Sequence, residues 1–198
     1  MDKNNPEEKV PEIPSIELLR EELAREEARC AFRKTLWNIM AVLLVAAAIT
    51  ALAATRLFLL VQINGNSMEP KLSEGEIIVL HRTKKVEKGD IIGFYYGGRI
   101  LLKRVIGSAG DQISIDRDGN VYVNSEMLEE PYAAEKSFGK CELEFPYEVP
   151  EGTVFVLGDN RAVSLDSRIR SIGCVEADQI AGKAIFSAWP ADHIEIIN

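Results

Sequence analysis

SEGEIIVLHR (residues 73–82) and EKGDIIGFYY (residues 87–96) decide the fold. In each, an acidic–glycine turn opens onto a short run of β-branched, aliphatic or aromatic residues. SAGDQISI (108–115) and PEGTVFVL (150–157) repeat the device. Turn residues followed by roughly four to six strand-forming residues read as strands joined by tight connections, and no helical period interrupts them. ISIDRDGNVYV (113–123) reads as a hairpin with Asp118-Gly119 at its tip. Asp116, Asp118 and Asn120 around Gly119 imitate the opening of a calcium loop. The glutamate that such a loop needs downstream is missing, so the hairpin is the expectation. The part of the chain beyond about residue 62 is therefore expected to be mainly β, antiparallel, and coiled into a barrel-like sheet.

Upstream the pattern changes. WNIMAVLLVAAAITALAAT (37–55) is nineteen residues without a charge, followed by Arg56 and then LFLLVQI. At about 1.5 Å per residue such a helix spans close to 30 Å, the thickness of a bilayer core. The expectation is one transmembrane helix over residues 37–61. It begins too late and runs too long for a cleaved signal sequence. Arg29, Arg33 and Lys34 precede it, whereas after Arg56 the next basic residue is Lys71. That asymmetry predicts a cytoplasmic segment 1–36, a single pass, and an extracytoplasmic domain 62–198, with Arg56 snorkelling to the outer interface. Within the first segment, residues 1–14 are polar and proline-containing, and read as disordered. Ser15 then caps a charged helix through Lys34. Two heptads are too few for a coiled coil, so this helix reads as a solvated extension of the span.

With 31 acidic and 23 basic residues the net charge is -8, which excludes a basic footprint for nucleic acid. Cys30 lies before the span and Cys141 and Cys174 after it, so only the last two could pair. Two unlinked thiols are the expectation. No CxxC or cysteine–histidine spacing suits zinc, and the chain has only His81 and His193. No metal and no cofactor are expected.

Three further motifs carry chemistry. Gly65-Asn66-Ser67-Met68-Glu69-Pro70 follows the span directly. Ile100 to Gly107 (ILLKRVIG) has the alternation of a strand, placing Lys103 with Leu101 and Val105 and turning Arg104 to the other side with Leu102 and Ile106. An edge-strand lysine can simply block sheet pairing. A lysine flanked by apolar neighbours is also a candidate desolvated amine of lowered pKa. Gly158-Asp159-Asn160-Arg161 leads on to Ser164 and Asp166-Ser167-Arg168. This cluster is no GxSxG elbow and has no histidine beside it.

In this order, behind one N-terminal span, the motifs resemble bacterial type I signal peptidases. The resemblance runs from about Leu57 to the C-terminus and takes in Gly182-Lys183-Ala184 and Trp189-Pro190. It implies a membrane-bound serine endopeptidase that removes signal peptides through a Ser–Lys dyad. Ser67 matches the nucleophile and Lys103 the general base. Ser164 matches a hydroxyl that orients the amine, and Met68 a residue packed beside the nucleophile. Asp159, Asp166 and Arg168 match residues that hold the site together. It also implies signal-peptide substrates with small residues at positions -1 and -3, a membrane-apposed β domain, and the secretion machinery nearby. Gly65 departs from those members that carry an oxyanion-binding serine there, and the short Lys103–Gly158 interval leaves no room for a large insertion. Both features resemble the shorter, Gram-positive-like branch. The competing readings are a Ser–Lys peptidase dedicated to one substrate class and a non-catalytic membrane-anchored binding module. The latter has no use for Ser67, Lys103 and Ser164 together.

Overall fold

A computed structural model describes residues 15–133, 135–191 and 194–197. The expectations for residues 1–14 and for His193 lie outside them. The chain divides into two units, one ending at Leu52 and one beginning at Ala53.

The first unit is helical. Helix α1, Ile16–Leu57, is continuous across the charged and the apolar segments. Ser15 starts it: its Oγ accepts from the Leu18 N–H at 3.4 Å and its carbonyl accepts from Leu19 at 3.1 Å. Glu17 in the first turn and Arg56 in the last suit the helix dipole. None of the helix's residues is buried, and the mean hydropathy of its most apolar window is 2.2, so it is long and apolar enough to cross a membrane.

The helix stops at Leu57, four residues short of the expected end of the span at residue 61. Phe58–Gln62 is instead strand β1. It pairs antiparallel with β2, Ile77–His81, in a register running from Phe58↔His81 to Gln62↔Ile77. Leu59 and Val61 pack on the core while Leu60 faces out. Apolar continuity cannot separate the last turn of a span from a strand; the pairing with β2 decides it.

The remaining strands are β3 (Ile91–Tyr96), β4 (Arg99–Ser108), β5 (Gln112–Ile115), β6 (Val121–Val123), β7 (Glu126–Met127), β8 (Tyr147–Glu148), β9 (Thr153–Leu157), β10 (Val175–Glu176) and β11 (Ile180–Trp189). Every pairing is antiparallel. Seven strands form one sheet in the order β1-β2-β11-β3-β4-β9-β10, and a four-stranded sheet runs β7-β6-β5-β8. The larger sheet is open, with β1 and β10 at its edges, so the barrel does not close.

The 113–123 hairpin forms as expected, with Ile113↔Val123 and Ile115↔Val121 in register. Asp116 Oδ1 accepts from the Asp118 and Asn120 N–H groups at 2.9 Å, and Oδ2 accepts from Asn120 Nδ2 at 2.8 Å. The carboxylate is thus engaged in shaping the turn. Cys141 and Cys174 are free thiols.

The alternation read for β4 appears in the packing. Leu101 and Val105 join one apolar cluster with Ile92, Phe94 and Val156, while Leu102 packs with Met68, Leu80 and Ile91 in another. Gly93 allows that packing across the sheet, since a Cβ there would lie 2.5 Å from Leu80 Cδ1.

Candidate active site

Ser67 sits in the turn that follows β1. Ile63 closes that turn at its base, donating to the Glu76 carbonyl at 2.8 Å and accepting from Gly75 at 3.0 Å. Gly65 takes a φ of 93°, which L side chains rarely adopt, and its N–H donates to Glu74 Oε1 at 3.2 Å. Beyond it, Met68 is buried in the core, and its carbonyl accepts from Leu72 at 2.9 Å. Met68 therefore pins one side of the turn and leaves Ser67 half-buried at its crest.

Lys103 arrives on β4 opposite Ile92 of β3. It is only 2% exposed, and its Nζ lies 2.8 Å from Ser67 Oγ and 2.8 Å from the Leu102 carbonyl. Burial lowers the amine's pKa from 10.5 to about 8. The carboxylates of Asp166 and Asp159 act against that shift, and Arg168 adds to it.

The third motif forms a wall around this pair. Asp166 takes Arg168 in a two-pronged ion pair, with Nε–Oδ1 at 2.8 Å and Nη2–Oδ2 at 2.9 Å, and accepts the Gly158 N–H at 3.1 Å. Asp159 is gripped likewise by Arg104, with Nε–Oδ1 at 2.9 Å and Nη2–Oδ2 at 2.6 Å. Burial pushes the Asp159 carboxyl up and the Arg104 guanidinium pulls it back. Gly158 passes so close to its neighbours that a Cβ there would strike Ser164 Oγ and lie 2.6 Å from both Ser164 Cβ and the Ser67 carbonyl oxygen.

Ser164 is brought to this wall and is 3% exposed, but its hydroxyl has no hydrogen-bond partner among the described residues. The bond to the lysine amine expected from the resemblance is therefore not made. Its place is taken by the Leu102 carbonyl, which the backbone sets within reach of Nζ. Asn160, by contrast, matters more than its place in the motif suggested. Its N–H donates to the Ser67 carbonyl at 3.1 Å, and its Nδ2 donates to the Asn66 carbonyl at 3.2 Å. Arg104, Asn160 and Gly158 all stood in motifs, but nothing in their spacing tells which groups they reach.

A cavity of about 830 Å³ opens beside the pair. One side is β1 and its continuation, Leu60 to Asn64; the other is Gly98 to Lys103, with Ser67 and Met68 between them. Strand β9 pairs with β4 only from Arg104 onward, so no β9 residue pairs with residues 99–103.

An alcohol hydrogen-bonded to a desolvated amine, at the end of a groove in an antiparallel sheet, has the make-up of a serine–lysine hydrolase. Residues 36–189 match the family described as signal peptidase, peptidase S26. A signal peptidase I of Streptococcus pneumoniae serotype 4 is 30% identical, with 74% of this chain and 90% of the relative covered. One from Bacillus licheniformis is also 30% identical, with 85% and 97% covered. The crystal structure of a signal peptidase I from Enterococcus faecalis V583 has 32% identity and a TM-score of 0.42, covering 50% of this chain and 96% of that one. The chain belongs to the signal peptidase family S26, and it is a serine peptidase.

Proposed function

We propose that the chain removes signal peptides from secretory preproteins by an acyl-enzyme mechanism in which Ser67 is the nucleophile and Lys103 the general base. The observation that carries this is the 2.8 Å contact between a buried amine and the Ser67 hydroxyl. Neutral Lys103 takes the Ser67 proton as Oγ attacks the scissile carbonyl. The resulting ammonium then protonates the departing amine. Water deacylates Ser67 with the same base, and no step needs a metal or cofactor. Gly65 offers no hydroxyl to the oxyanion, so backbone N–H groups, Ser67's among them, carry that stabilisation. Asp159, Asp166 and Arg168 hold the wall behind the pair, Met68 anchors the turn, and Ser164 fills the space beside Gly158.

The substrate is an extended segment with small residues one and three places before the cut. The free edge of β4 and the β1 side of the groove suit strand addition, in which main-chain hydrogen bonds supply affinity and side-chain pockets supply choice. The helix anchors the enzyme in the membrane with its N-terminus cytoplasmic and the β domain outside, against lipid and near the secretion machinery. Sharing a membrane with the substrate raises the effective concentration of each for the other.

Ser67→Ala and Lys103→Arg test the dyad with detergent-solubilised enzyme and a labelled preprotein. Both variants should be folded and inactive, because guanidinium keeps the charge but does not give up its proton in the accessible pH range. A folded Lys103→Arg variant with more than about a few per cent of wild-type turnover removes Lys103 from the base's role.

A further inference from the structure

Glu130-Pro131-Tyr132 lies outside all three motifs, in the connection between β7 and β8. It nevertheless reaches two arginines that flank the site. Glu130 is buried and takes both terminal nitrogens of Arg161. Its Oε2 accepts from Nη1 at 3.2 Å, and its Oε1 accepts from Nη2 in a short ion pair. Arg161 is 1% exposed, and its remaining donor, Nε, goes to the Gly158 carbonyl at 3.0 Å. The Tyr132 ring lies 4.0 Å from the Arg104 guanidinium, whose nitrogens reach Asp159 and the Gly89 carbonyl. The two contacts are tied together, because the Tyr132 hydroxyl donates to Glu130 Oε1 at 3.3 Å.

The chemistry of these contacts gives them a direction. A buried guanidinium deprived of its carboxylate must find water or another acceptor, and moving Arg161 moves the Gly158 carbonyl with it. Gly158 has little slack, since even a Cβ there would strike Ser164 and the Ser67 carbonyl. Tyr132 acts on the other member of the pair. Its ring covers one face of the Arg104 guanidinium that grips Asp159, and Arg104 is the backbone neighbour of Lys103. We propose that Glu130 and Tyr132 form a clamp that positions the Gly158 wall and the Lys103 strand against Ser67. They are positioning residues that act through Arg161 and Arg104 without touching the substrate. This rests on the reading of Ser67 and Lys103 as the dyad.

The experiment measures kcat and KM of full-length Glu130→Gln, Tyr132→Leu and Tyr132→Phe enzymes in detergent on one signal-peptide substrate. Rates are normalised to the folded fraction from near-ultraviolet circular dichroism. Tyr132→Phe keeps the ring over Arg104 and should stay within about twofold of wild type. Tyr132→Leu should lose about tenfold, and Glu130→Gln about thirtyfold or more, both in kcat with KM little changed. A kcat per folded molecule equal to wild type in Tyr132→Leu, or in folded Glu130→Gln, overturns the clamp. So does a loss confined to KM. If Glu130→Gln does not fold, Tyr132→Leu and its rescue by phenylalanine decide alone. Ser67→Ala in the same assay separates the two questions: turnover by that variant refutes the dyad itself, whereas a dead Ser67→Ala beside an unimpaired Tyr132→Leu refutes only the clamp.

Discussion

Lys103 stands between opposing influences. Burial strips water from its ammonium, while Asp159 and Asp166 favour the charge, and the balance falls near a pKa of about 8. As a base it must be neutral, so kcat should rise with pH and level off above about 8. A rate flat between pH 6 and 9 would mean that another group accepts the proton. The same shift couples to stability. Because the folded pKa is below the unfolded value, the buried charge costs stability at any pH under about 8, and the cost disappears as pH rises toward 10.5. A shift of this size corresponds to about 3 kcal/mol. Lys103→Met should therefore be inactive, and relief of the buried charge at pH 7, worth up to about 3 kcal/mol, is set against the lost bonds to Ser67 and the Leu102 carbonyl. Denaturant melts should show the stability of Lys103→Met relative to wild type falling from pH 8 to 10.5; a difference that does not change over that range refutes the desolvated amine.

Turns and strands were legible in unequal measure. The acidic–glycine turns and the runs after them marked β2, β3, β5 and β9 because local backbone chemistry suffices for such units. Residues 58–61 misled because LFLLVQ is equally apolar as a helix turn or a strand, and only the distant Ile77–His81 segment chooses. Ser67 and Lys103 stood out through their motifs, and a lysine in so apolar a strand is buried, with its amine desolvated. The Ser164 contact failed for a different reason. A motif lists hydroxyls without their directions, and β4 brings the Leu102 carbonyl to the amine instead. Asn160's grip on the Ser67 turn joins residues 93 positions apart and leaves no trace in spacing. Gly158 condenses this into one test. Its missing Cβ is what lets the 158–168 loop close on Ser67, so Gly158→Ala should cut kcat by about a hundredfold or more while the sheet still forms. Near-wild-type kcat in a folded Gly158→Ala enzyme would show that the loop yields easily.

The whole molecule poses a question of sidedness, because a site at the outer membrane face is useful only if the β domain lies there. The basic residues before Trp37 and their scarcity after Arg56 favour a cytoplasmic N-terminus. The protein carries its own reporter in Cys30, which is exposed on the charged part of α1. With Cys141 and Cys174 replaced by serine, an impermeant maleimide should leave Cys30 unlabelled in intact cells and label it once the membrane is opened. A second variant keeps no native cysteine and carries Glu151→Cys in the exposed turn before β9. It should label in intact cells without permeabilisation. Each variant controls for the other, since protection of Cys30 alone could reflect poor reactivity, and labelling of position 151 alone could reflect leaky cells. Cys30 labelled in intact cells of the first variant, with position 151 protected in intact cells of the second, would place the β domain in the cytoplasm. The dyad would then lie on the wrong side of the membrane to meet a translocated signal peptide.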